Sequence, residues 1–154
     1  MCGSRILVAD AVYDEFVEKL VSEVNNMTVG NPQLTDTDIG SVISQEHMNK
    51  ILSYIDLAAN EHGRILTGGK QLSLPKPNAD GAFIAPTLID RIPIDSRCAT
   101  EEIFGPVATI HRFSSDEEAI DMANLTEYGL AGSVWTSDTE RGKAVAEQVE
   151  SGIL

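Results

Sequence analysis

The chain has 154 residues, 42% hydrophobic and 23% charged, which suits one folded domain around one core rather than a disordered segment. Eleven Lys and Arg against 24 Asp and Glu leave a formal charge of -13, and this excludes nucleic-acid binding through the net field. No apolar run is long enough to span a membrane, no signal-peptide pattern is read at the start, and Cys2 and Cys98 have no metal-ligand spacing, so a reduced cytoplasmic compartment is expected.

Residues 5 to 9, Arg-Ile-Leu-Val-Ala, read as a buried strand, with Asp10 placed to cap the helix after it. In that helix Phe16, Leu20 and Val24 recur every four residues beside Tyr13, Val17 and Val21, an apolar stripe. Residues 25 to 43 are rich in turn formers. Thr35-Asp36-Thr37-Asp38 lacks the glycine and terminal Glu of a calcium loop and reads as a solvated segment. Ser44 caps a second helix carrying Met48, Ile51, Leu52, Ile55, Ala58 and Ala59, and Gly63 is expected at its left-handed end.

Residues 64 to 67 form the next expected strand, and residues 70 to 82 a surface loop. Residues 83 to 89 read as a strand that Pro86 would confine to a sheet edge or an irregular position. Residues 107 to 113 are a further apolar run. Ser115 with Glu118, and Ser137 with Glu140, resemble capping boxes of two more helices. The first of these would bury Ala119, Met122 and Ala123, and the second Val145 and Val149. Residues 130 to 136 read as a strand, with Trp135 in core or rim packing, and residues 153 and 154 as the start of another. Strands alternating with helices predict an α/β layered sheet with helices on both faces.

The stretch between the strands at 83–89 and 107–113 carries the chemistry. Glu101-Glu102-Ile103-Phe104-Gly105-Pro106 sets two carboxylates and an aromatic before a Gly-Pro break, where a chain re-entering a sheet exposes its turn. One carboxylate can accept hydrogen bonds from a sugar diol, and Phe104 can lie against a ring. On residue types alone, a solvated acidic turn with a core Phe serves as well. His47, His62 and His111 share no ligand spacing and read as solvated or strand-surface residues, so no metal site is expected; Cys98 reads as a buried or half-buried free thiol.

Glu101-Glu102-Ile103-Phe104-Gly105-Pro106-Val107 resembles a signature segment of the NAD(P)-dependent aldehyde dehydrogenase superfamily. Gly3-Ser4-Arg5-Ile6-Leu7-Val8, Tyr13-Asp14-Glu15-Phe16-Val17, Val29-Gly30-Asn31-Pro32, Ala85-Pro86-Thr87-Leu88 and Tyr128-Gly129-Leu130-Ala131 match the family in the same order. The resemblance runs nearly the whole length and implies that residues 1–154 are the central part of a catalytic domain, cut at both ends.

In such an enzyme a thiolate attacks the aldehyde, hydride passes to the nicotinamide, and water releases the acid from a thioester. The resemblance places the nucleophile immediately before Met1, with Cys2 a neighbouring thiol. It places the general base, the oxyanion-holding amide and the dinucleotide-binding domain earlier still, so no catalytic residue is expected within this chain. It assigns Glu102 to the nicotinamide ribose hydroxyls, Phe104 to the face beside the nicotinamide, and Glu101 to a structural hydrogen bond or ion pair. NAD or NADP would belong to the complete enzyme, with none held by this chain alone. An aldehyde would be its substrate, with no nucleic-acid or membrane partner, and homo-oligomers or self-association are implied.

A non-catalytic scaffold or interaction module of the same fold is the alternative. An unrelated α/β domain would place Glu102 away from the N-terminal strand; the dehydrogenase reading brings Met1 and Glu102 together.

Overall fold

The computed structural model describes residues 4–153. Its main sheet has four strands in the order β1-β6-β5-β2: β1 (Arg5–Ala9), β6 (Val107–Phe113), β5 (Thr87–Asp90) and β2 (Arg64–Thr67). β1 and β5 both run parallel to β6, while β2 is antiparallel to β5. Alternation along the strands divides the sheet into two faces. Leu88, Ile110 and Val8 face helix α1 (Tyr13–Asn26), whose Tyr13 and Val17 are buried against them. Ile89 and Val107 face helix α2 (Gln45–Asn60), which buries Met48, Ile51, Tyr54, Ile55 and Ala58. Arg5, on the α2 side of its strand, donates to the carbonyls of Met122 and Ala123 at 2.7 and 2.9 Å, and so draws α4 (Asp116–Ala123) to that side. Helices therefore cover both faces, as the alternating pattern predicts.

Several local expectations change. Asp10 does not cap α1; it opens a 3-10 turn at Asp10–Val12 and its carboxylate stands 3.7 Å from Arg112. Phe16 is exposed because it lies one residue off the arc through Tyr13, Val17, Leu20 and Val24. Ser44 caps α2 by accepting from the His47 amide at 3.1 Å. The left-handed residue at its far end is His62, with φ of 66°, and not Gly63. Gly63 is needed for space instead: a Cβ there would come within 2.2 Å of Ile92 and 2.7 Å of the Ala58 carbonyl.

The run 83–89 breaks at Pro86 into β4 (Phe83–Ile84) and β5. β4 pairs with β3 (Gln71–Leu72), so the expected loop at 70–82 opens with a short strand. β5 lies inside the sheet and not at its edge. Proline does no harm there because it occupies the break, and the next amide, Thr87, donates to the Pro106 carbonyl at 2.8 Å.

Ser115 caps α4 through the Glu118 amide, but Glu118 reaches back to Ser114. Asp138, and not Ser137, caps α5 (Thr139–Ala146). Neither α4 nor α5 has a fully buried residue: Ala119, Met122, Ala123 and Val145 are only half-buried, and so is Val149, which lies beyond the end of α5. Residues 130 to 136 form no strand among the described residues. Trp135 is 91% exposed, and the segment is tied back by the Gly132 amide donating to the Ile153 carbonyl at 2.8 Å. Ile153 is not in a strand, and Leu154 lies outside the described residues.

His111 is buried on β6 with a ring nitrogen 3.0 Å from the Thr109 hydroxyl, which corrects its reading as a surface residue. Burial, followed by the nearby Arg5 charge, lowers its pKa from 6.5 to about 4. Its folded value is depressed, so its stabilising contribution is complete above pH 6.5 and is lost as pH falls toward 4. The unfolded chain takes up that proton first. At one unit per 1.36 kcal/mol the loss is on the order of 3 kcal/mol. Chemical denaturation across this window is expected to show it, and His111→Asn to flatten the slope.

Candidate functional site

α3 (Arg97–Thr100) ends where the acidic turn begins, and the turn leads into β6. Ser96 caps α3 through the Cys98 amide, and Cys98 itself is buried as a free thiol, as the sequence suggests. Ile103 inserts into the α2-side core. Residues on either side of that anchor must therefore point outward.

The two carboxylates separate sharply. Glu101 accepts from the Arg97 guanidinium at 2.7 and 3.0 Å and from the Tyr54 hydroxyl at 2.5 Å. Arg97 also lies over the Tyr54 ring, 5.6 Å from its centroid. The Arg97 hydrogen bond, then that of Tyr54, holds the Glu101 carboxyl at about 2, below its usual 4.5. Its stabilising contribution is thus lost only as pH falls from 4.5 toward 2, and its 41% exposure keeps that contribution small. Glu102 is exposed and, among the described residues, makes no side-chain hydrogen bond or ion pair. Both of its oxygens are available to donors from outside.

Phe104 is 74% exposed, so it is not the core residue that the plain reading of the turn requires. Its backbone has φ of 58°, a conformation that L side chains adopt at a cost of about 1–3 kcal/mol and that persists only where neighbours impose it. Two neighbours do so. The Phe104 carbonyl stands 2.7 Å from Nε2 of His47, on the first turn of α2. Gly105 lies against Ile51, where a Cβ would approach Cδ1 to 2.5 Å. An apolar ring is thereby held in solvent two residues from a carboxylate that is unpaired among the described residues.

The turn and β1 share one end of the sheet. Arg5 pairs with Thr109, and the Ser4 carbonyl accepts from the Thr109 amide at 2.9 Å, two residues beyond Val107. This removes the reading as an unrelated domain, which would part Glu102 from the N-terminal strand. Met1 and Cys2 lie outside the described residues. Two cavities, of about 310 and 430 Å³, lie elsewhere; the larger is lined by Tyr13, Arg64, Asp90 and His111 near the far ends of β5 and β6. Neither is lined by Glu102 or Phe104.

His47, which the sequence reads only as a solvated histidine, is half-buried and bound to the turn. Only its place on an α2 turn that packs beside the acidic segment brings it to Phe104. The helix spacing from Ile51 and the Ser44 cap is the one available hint.

The fold and turn define an α/β segment that presents an acidic and an aromatic side chain at the sheet end where its first strand starts. Over residues 1–154 the chain matches the aldehyde dehydrogenase family, and it belongs to that family. It is 43% identical to 2-aminomuconic semialdehyde dehydrogenase of Mus musculus, covering 100% of this chain and 32% of the relative. It is 41% identical to betaine aldehyde dehydrogenase of Bacillus subtilis, covering 99% of this chain and 31% of that protein. The crystal structure of betaine aldehyde dehydrogenase from Staphylococcus aureus in complex with NAD+ superposes with a TM-score of 0.92 at 41% identity, over 98% of this chain and 30% of that one. The chain spans about a third of the length of the curated relatives it matches.

Proposed function

We propose that this chain is part of the catalytic domain of an NAD(P)-dependent aldehyde dehydrogenase and supplies the turn that positions the coenzyme's nicotinamide half. The complete enzyme would oxidise an aldehyde to a carboxylate. One observation carries the reading: of two adjacent glutamates, Glu101 is consumed by Arg97 and Tyr54, whereas Glu102, unpaired among the described residues, stands two positions from an exposed, left-handed Phe104.

The residues fit the coenzyme. A carboxylate with two unused oxygens matches the paired hydroxyls of a ribose, and an exposed phenyl face matches the edge or face of a nicotinamide. When bound, the nicotinamide supplies the hydride acceptor. Glu102 and Phe104 would fix its orientation, which is a placement role. The Staphylococcus aureus relative was crystallised in complex with NAD+, which supports NAD as the coenzyme.

The turn presents an open face. One carboxylate and one ring leave most of a dinucleotide in water, so the 154-residue chain alone is proposed to bind no coenzyme and to be inactive. Coenzyme-dependent aldehyde oxidation by the isolated chain would overturn that part. A cytoplasmic location and homo-oligomeric assembly are proposed on the cysteine usage and the family membership.

The test is Glu102→Ala in the full-length protein that carries this sequence. Losing hydrogen bonds to a charged group costs about 1.5–3 kcal/mol, so the coenzyme dissociation constant should rise roughly tenfold to a hundredfold. Stability should hardly change, because among the described residues Glu102 makes no side-chain hydrogen bond or ion pair. An unchanged dissociation constant refutes the ribose role.

A further inference from the structure

We propose that His47 is a positioning residue for the coenzyme face: its Nε2–H donates to the Phe104 carbonyl and locks Phe104 in the left-handed conformation that presents its ring. The proposal rests on the reading of Glu102 and Phe104 as coenzyme contacts and extends it to a residue 57 positions away in sequence.

The geometry is a relay of fixed groups. Ser44 accepts from the His47 amide at 3.1 Å, so the His47 backbone is set by the N-cap of α2. The imidazole then reaches the Phe104 carbonyl at 2.7 Å, and the two rings meet edge to face, with centroids 6.2 Å apart and planes at 70°. A carbonyl can only accept, so the nitrogen facing it carries the proton. The neutral Nε2–H tautomer and the imidazolium both satisfy this, and the contact therefore needs no particular charge on His47. One residue later, the close fit of Gly105 on Ile51 prevents the turn from lifting away from α2. Phe104 is thus gripped at its carbonyl and along its following peptide, while its ring stays in solvent. Without the His47 donor, nothing at the carbonyl opposes relaxation to negative φ, which would swing the ring off the face it shares with Glu102.

Two substitutions in the full-length protein separate this from a merely structural role. His47→Leu removes the donor. His47→Gln keeps an N–H the same number of bonds from the backbone. With NAD+ as the probe, His47→Leu is expected to raise the dissociation constant about tenfold, as loss of one well-placed contact would. His47→Gln should return it to within about threefold. The thermal midpoint and the KM for aldehyde should move little, because His47 is only half-buried and its side-chain hydrogen bond goes to the turn. A crystal structure of His47→Leu should show Phe104 at negative φ.

An unchanged NAD+ constant in His47→Leu, while Glu102→Ala weakens binding, overturns the role of His47 and leaves the coenzyme reading standing. Equal weakening in Leu and Gln variants also overturns it, since the hydrogen bond would not be the agent. If Glu102→Ala has no effect either, the coenzyme reading itself falls.

Discussion

Replacing Gly105 with alanine is expected to destabilise the chain by about 2 kcal/mol and, on the coenzyme role proposed for the turn, to weaken coenzyme binding by the full-length protein at least tenfold. The added Cβ would sit 2.5 Å from Cδ1 and 2.9 Å from Cγ1 of Ile51. Ile51 is fully buried in the α2-side core, so it has no solvent to move into. The turn must shift instead, and that shift carries the Phe104 carbonyl away from His47. Urea titration reads the first effect, and coenzyme titration the second. An alanine variant with parental stability would mean that the core yields more easily than its packing suggests. Loss of stability with unchanged coenzyme affinity would mean that the turn's position does not matter to the ligand.

Arg64→Met is expected to cost about 3 kcal/mol, a large share of a domain's usual 5–15 kcal/mol. Asp90 is 1% exposed at the end of β5 and accepts from Arg64 at 2.9 and 2.6 Å and from the Tyr13 hydroxyl at 3.2 Å. Removing Arg64 leaves a buried carboxylate with one neutral partner. Because the penalty comes from the stranded charge, the double variant Arg64→Met/Asp90→Leu should recover at least half of it. A double variant as unstable as the single one would show that the pair itself, and not the orphaned charge, carries the energy. The turn proposed to meet the coenzyme lies at the other end of β6, so on that proposal affinity for NAD+ should be unaffected in either variant.

Much of the turn is legible in sequence because its parts are contiguous. Two acids, an anchor isoleucine, an aromatic and Gly-Pro announce an exposed turn, and the order of residues announces the family. What sequence does not convey is which glutamate is spent internally and what holds Phe104. Those answers lie on α2, in Tyr54 and His47, and reach the turn only through tertiary packing. The helix periodicity places Ile51 and Ile55 in the core correctly, yet it passes over Tyr54, whose ring is buried while its hydroxyl serves Glu101.

Proline misleads for a related reason. Pro86 suggests an edge or an irregular position; the irregular position holds, since the strand begins one residue later, but β5 is interior because its ladder needs nothing from Pro86. Apolar content misleads at residues 130 to 136, where a strand-like run has no neighbouring strand among the described residues and remains exposed. Small caps shift by a residue, from Ser137 to Asp138, because adjacent Ser and Asp are equally able to take the orphan amide.

The parallel ladder that joins Arg5 to Thr109 also sets a schedule for biosynthesis. Chain growth delivers β1 about a hundred residues before its partner β6. At typical ribosomal speeds of about 5–20 residues per second, the apolar segment Ile6-Leu7-Val8 waits for several seconds with its edge unmatched. During that wait α1 can cover one side of it, but only the emergence of β6 can occupy its amides and carbonyls. Nascent chains stalled before residue 107 should therefore be the ones that chaperones hold longest.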